Sequence, residues 1–159
     1  MKNMITLSSY YIFLIPIAVW FIVQGLKIFL FSLKHGWNII ENTKHLGHGH
    51  MPSAHTGFVS AMVASIGYYD GLGSGAFAVA IVMAIITIDD SIRLRMHIGD
   101  QGTYLNRLIE HLNLKRKDYP KLKERMGHKI SEVVVGGILG ISLTLLAAEI
   151  LKNYDFVLF

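Results

Sequence analysis

The chain has 159 residues, 52% hydrophobic and 16% charged, with a formal charge of +4 and no cysteine. This length supports a single domain over residues 1–159, and a mean hydropathy of +0.44 argues against a solvated globule. The lack of cysteine excludes disulfides, thiolate catalysis and zinc–cysteine sites. Basic residues that border apolar spans, rather than interleave with aromatics on a soluble face, argue against nucleic-acid binding.

The first apolar run, residues 10–33, is interrupted only by Pro16, Gln24, Gly25, Lys27 and Ser32. At about 1.5 Å per residue it can cross a hydrocarbon core of about 30 Å. Its length, and the lack of a small-residue cleavage site after it, favour a retained helix over a signal peptide. Two shorter runs follow, 56–69 and 76–88, joined by Asp70-Gly-Leu-Gly-Ser-Gly. Each is marginal alone, but as a tight hairpin sheltered by longer helices they could span. The last run, 130–151, is again of spanning length. Between the last two, Tyr104, Leu105, Leu108, Ile109 and Leu112 recur at helical spacing, with Asn106, Arg107, Glu110 and His111 among them. The pattern predicts an amphipathic helix that extends the third span along the membrane surface and is ended by Lys115-Arg116-Lys117-Asp118-Tyr119-Pro120. The expected fold is therefore all-α: an integral membrane bundle of about four transmembrane helices plus an interfacial amphipathic helix.

Orientation follows from lysine and arginine placement. Of the 15 such residues, only Lys2 and Lys152 fall on the face holding the termini; Lys27, Lys34, Lys44 and ten between Arg93 and Lys129 lie on the other. The expected topology has both long connections in the cytoplasm and both termini outside.

Several polar residues then fall at one membrane level. Lys27 and Lys34 are two turns apart and share a face with Gln24. A lysine within an apolar span calls for a polar cavity or partner, snorkelling being the alternative. His55 opens the second helix after Pro52 and Ser53, where free backbone N–H groups favour an anion. His128 and Glu132, four apart, are expected on one face at the start of the last helix. A carboxylate on one imidazole nitrogen would leave the other as nucleophile or base, against the plainer reading of a surface pair. Asp89, Asp90, Arg93 and Arg95 end the third span at the same level, and an arginine there could hold a phosphate bidentately. A rival constellation is His45, His48, His50 and His55, whose density could bind zinc although only distant Glu41 could join them. Gly136-x-x-x-Gly140 reads as close helix packing.

These residues resemble the type 2 phosphatidic acid phosphatase superfamily, which includes the vanadium haloperoxidases and has the motifs Lys-x6-Arg-Pro, Pro-Ser-Gly-His and Ser-Arg-x5-His-x3-Asp. Lys27-x6-Lys34 resembles the first, Pro52-Ser53-Ala54-His55 the second, and His128-x3-Glu132 the end of the third. The closer resemblance is to the short, divergent PAP2 branch of YuiD-like membrane proteins, carried by Asp90, Arg95, Gly99, Gln101, Leu105-Asn106 and Gly127-His128 in that order. It covers roughly residues 24–140. The chain departs from the superfamily pattern in having Lys34 without a following proline, Ala54 for glycine, Glu132 for aspartate, and no Ser-Arg before His128.

The resemblance implies a metal-independent lipid-phosphate phosphatase without cofactor. His128 would form a phosphohistidine with Glu132 orienting it, and His55 would protonate the leaving alcohol. Lys27, Lys34, Ser53 and Arg95 would bind the phosphoryl oxygens, with Arg93 the second choice of arginine and Asp90, Gln24 and Gln101 in support. The cytoplasmic site favours an inner-leaflet substrate such as phosphatidylglycerophosphate or phosphatidic acid. The expected partners are membrane lipids and the phosphorylated lipid, with no nucleic acid and with self-association left open. The alternative is a non-catalytic membrane protein that binds anionic lipid or phosphate in the same pocket.

Overall fold

The computed structural model describes residues 8–36, 51–124 and 126–155. Its elements are α1 (Ser8–His35), α2 (Ala54–Tyr69), α3 (Gly75–Asp89), a π-helical turn (Asp90–Leu94), α4 (Arg95–His111), a 3-10 turn (Arg116–Asp118) and α5 (Ile130–Asp155), with no strand among the described residues. Three helical stretches are long and apolar enough to cross a membrane: Tyr10–His35, the continuous Gly75–His111, and Ile130–Lys152. Helix α2, at 16 residues, is shorter. The basic segment around Lys115 does not end α4, which stops at His111.

Small residues decide the packing. Helix α2 touches α1, α3 and α5, and its buried residues include Gly57, Ala61 and Ser65 at four-residue spacing. Facing them on α5, a Cβ at Gly136 would run into the Ser53 carbonyl and one at Gly140 into the Gly57 carbonyl. Glycine at these two positions lets the backbones meet, which in lipid is a main source of helix association. Thr144 continues the stripe and turns its hydroxyl back to the Gly140 carbonyl at 2.8 Å. These contacts align α2 and α5 parallel, with Tyr68 Oη donating to Glu149 Oε1 at 3.0 Å near their far ends. Helix α1 runs the other way: Val23 lies at Gly57, and Ser65 Oγ donates to the Tyr11 carbonyl at 3.4 Å.

The outer faces stay apolar and open. Phe21, Val79, Ile85, Ile138 and Leu146 are all largely exposed, and α3 buries only Ala80 and Ala84. Contiguous apolar surface on this scale marks a lipid-facing wall. The packing brings the end of α1, the starts of α2 and α5 and the end of α3 to one end of the bundle.

Candidate active site

The start of α2 is built by Ser53. It is fully buried and its Oγ accepts from the Thr56 N–H at 3.4 Å and the Thr56 hydroxyl at 3.0 Å, a serine N-cap. The Ser53 N–H donates in turn to the Glu132 carbonyl at 3.1 Å, which ties this helix start to that of α5. His55, in the first turn, is exposed at the mouth of the site.

The start of α5 is built differently from the sequence expectation. Helix α5 begins at Ile130, so His128 lies outside it and only Glu132 is in its first turn. Gly127, at φ +102°, turns the chain into this position, where a side chain would be strained. His128 Nδ1 lies 2.8 Å from Glu132 Oε2, with side-chain exposures of 7% and 9%. The same carboxylate oxygen accepts the Lys129 N–H at 3.2 Å, so Glu132 caps the helix as it holds the imidazole. The His128 N–H donates to the Ser91 carbonyl at 3.0 Å. With Nδ1–H given to Glu132, Nε2 is left with its lone pair. Burial pushes the His128 pKa below its usual value, with Lys27 and Arg95 adding to the effect against the upward pull of Glu132.

Ser91 sits in the π-turn, with its Oγ on the Ile88 carbonyl at 2.8 Å. In a regular helix of 3.6 residues per turn, Asp90 and Arg95 would point about 140° apart. The wider π-turn brings them to one side, with Arg95 Nε 3.5 Å from Asp90 Oδ2. Such insertions are frequent at functional sites. Arg95 is within electrostatic reach of both His55 and His128. Arg93 instead pairs with Asp89 at 3.4 Å on the exposed surface, at 72% exposure.

Lys27 is 5% exposed and within electrostatic reach of Glu132, His55 and His128. Lys34 stands exposed two turns further along α1, about 10 Å away along the axis. Gln24 is half-buried one turn before Lys27, and Gln101 is exposed on α4. The structure thus gathers His55, His128, Glu132, Lys27, Ser53, Arg95 and Asp90, and leaves Lys34, Arg93 and Gln101 on the surface. Sequence reading missed Ser91, whose carbonyl anchors His128; a lone serine after two aspartates carries no signal for that role.

Among the described residues no three His, Cys, Asp or Glu side chains converge as a metal-holding group. His45, His48 and His50 of the rival histidine run lie outside the described residues. An apolar cavity of about 440 Å³ opens between α1 and α5, lined among others by Leu14, Val19, Leu143 and Ile150, at the end of the bundle away from the histidines.

A buried His–Glu pair, a second histidine and two cations thus stand at the mouth of the helical bundle, and comparison with known proteins bears out the family resemblance. The Divergent PAP2 family matches residues 8–143. The uncharacterized membrane protein YuiD of Bacillus subtilis (strain 168) is 37% identical over 132 residues, which cover 76% of this chain and 80% of that protein. No solved structure matches significantly. The chain is a membrane protein of the Divergent PAP2 family.

Proposed function

We propose that this protein is a lipid-phosphate phosphatase that works through a phosphohistidine and needs no metal. The observation that carries the reading is the buried His128–Glu132 pair at 2.8 Å, with Lys27, Arg95 and His55 in electrostatic reach of His128. His128 Nε2 attacks phosphorus, the bond from phosphorus to the lipid oxygen breaks, and His55 gives its proton to that oxygen. Water then attacks the phosphohistidine while His55 takes up a proton, releasing inorganic phosphate and restoring both imidazoles. Lys27 and Arg95 offset the charge on the equatorial oxygens, the main catalytic demand of phosphoryl transfer. Glu132 keeps the attacking nitrogen in the correct tautomer. Ser53 holds the start of α2, whose leading N–H groups can meet a phosphate oxygen.

The topology supports four crossings, with the α2–α3 hairpin completing the bundle and α4 continuing beyond the third span. Residues 75–111 form about 55 Å of helix, against a hydrocarbon core of about 30 Å. Its surplus carries Tyr104, Leu105 and Leu108 exposed, which suits an interfacial helix. By the positive-inside rule, the distribution of the 15 lysines and arginines along the sequence supports a cytoplasmic site with the termini outside, and with it an inner-leaflet substrate such as phosphatidylglycerophosphate or phosphatidic acid.

The test is phosphate release from a panel of lipid phosphates in EDTA, for the wild type and His128→Ala. The expected result is release that depends on His128, with an acid-labile phosphoenzyme trapped from labelled substrate. Saturable binding of lipid phosphate with no release from any substrate would instead identify a binding protein.

A further inference from the structure

We infer that Asn106, seated with Gly99 and Gly102 on one face of α4, is a positioning residue that sets His128 through a strap, the chain before it, whose described residues Leu122 to Glu124 and Met126 to His128 lie along that face. The inference takes its kinetic consequence, but not its geometry, from the proposed role of His128.

Asn106 is 2% exposed and its amide is used on both sides. Nδ2 donates to the Leu122 carbonyl and to Glu124 Oε1, each at 2.9 Å, and Oδ1 accepts the Leu122 N–H at 3.1 Å. One side chain thereby satisfies both backbone groups of a residue that belongs to no helix, as a neighbouring strand would. Gly102 and Gly99 continue the same face at helical spacing. A Cβ at Gly102 would strike the Lys123 carbonyl, and one at Gly99 would lie 2.8 Å from the Glu124 carbonyl. The strap then reaches Gly127, which lies against the Met96 N–H, and ends at the His128 N–H on the Ser91 carbonyl. It therefore runs antiparallel to the helix from Asn106 back to Ser91.

Successive contacts at Asn106, Gly102, Gly99 and Met96 hold the described residues of the strap along α4 up to His128, so its register at Asn106 bears on where His128 stands. If the clamp opens, His128 keeps Glu132 but loses the far anchor that holds its backbone on Ser91. Misplacing a nucleophile by about 1 Å costs on the order of a hundredfold in rate.

The experiment measures hydrogen–deuterium exchange at the His128 amide, and kcat and KM for phosphate release, on the full chain in nanodiscs. The variants are Asn106→Ala and Gly102→Ala, which open the clamp by independent routes, with exposed Arg107→Ala as control. Both clamp variants are expected to exchange the His128 amide at least about tenfold faster while α2 amides keep their protection. Their kcat should fall about a hundredfold with KM within about twofold, because the phosphate-binding groups stay in place. Arg107→Ala should match the wild type. Where Asn106→Ala disturbs α2, Asn106→Asp replaces it, since this keeps the acceptor for Leu122 and sets a carboxylate against Glu124. Unchanged protection at His128 overturns the inference, and so does faster exchange with an unchanged kcat. A wild type that releases no phosphate removes the phosphatase reading and leaves the exchange result to decide the clamp by itself.

Discussion

The two helix starts that make the site are built in opposite ways. At α5, His128 is buried and held at two points, through Nδ1 on Glu132 and through its N–H on Ser91. At α2, the backbone is held by Ser53, while the His55 ring is exposed among Arg95, Lys27 and Asp90. The contrast fits a division of labour. A nucleophile gains from a fixed geometry and tautomer, whereas a proton donor must reach successive oxygens and exchange with water. The two starts are joined by the Ser53 N–H on the Glu132 carbonyl, so neither can shift without the other.

Substitutions can break this contrast. His128→Ala should have the largest effect, a fall of about 10⁴-fold or more in phosphate release with every substrate, because it removes the attacking nitrogen. His55→Ala should cost about 10²–10⁴-fold with an alkyl leaving group and far less with an aryl phosphate whose leaving oxygen needs no proton. An equal loss with both substrates would move His55 out of the acid role. Arg95→Ala should lower kcat/KM by roughly a hundredfold, while Arg93→Ala, on a solvated pair with Asp89, should stay within about twofold. Equal losses would mean that the π-turn does not select between the two arginines.

pH sharpens the same comparison. Burial holds the His128 pKa below its usual 6.5, so Nε2 stays unprotonated at neutral pH. The acid limb of kcat/KM should lie below pH 6.5 and move up toward it when Asn106→Ala loosens the strap. Stability carries the same sign. Below pH 6.5 the unfolded chain takes up this proton more readily than the folded one, so the contribution of His128 is present above that pH and lost as pH falls through the folded-state value. A pH-dependent melting series of the wild type against His128→Gln isolates that contribution. Gly136→Ala, whose added methyl meets the Ser53 carbonyl, tests the joint between the two starts through stability. It should destabilise the bundle by about 1–3 kcal/mol in a denaturant titration, through overpacking at the α2–α5 crossing.

Much of this was legible from composition and spacing. Apolar runs of fixed length gave the long helices because a span is set by bilayer thickness against 1.5 Å per residue. The lone Lys27 within such a run marked a polar interior, since a charge facing lipid is costly. The four-residue spacing of Gly136 and Gly140 marked the close crossing. Lys34 shows the limit of this kind of reading: periodicity places it on the face of Lys27, yet it lies a further two turns out, exposed. His128 shows another, since the spacing to Glu132 suggested a helical pair and Gly127 instead turns His128 out of the helix.

The sequence by itself determined that this is a helical membrane protein, because length and hydropathy act locally along the chain. Only the tertiary structure decided which arginine lies beside the two histidines, that the Ser91 carbonyl accepts the His128 N–H, and that Asn106 bonds to Leu122. Those three depend on a helix turn with one extra residue and on contacts between segments 16 and 37 residues apart in the chain. Neither leaves a periodic trace in the residues that make it.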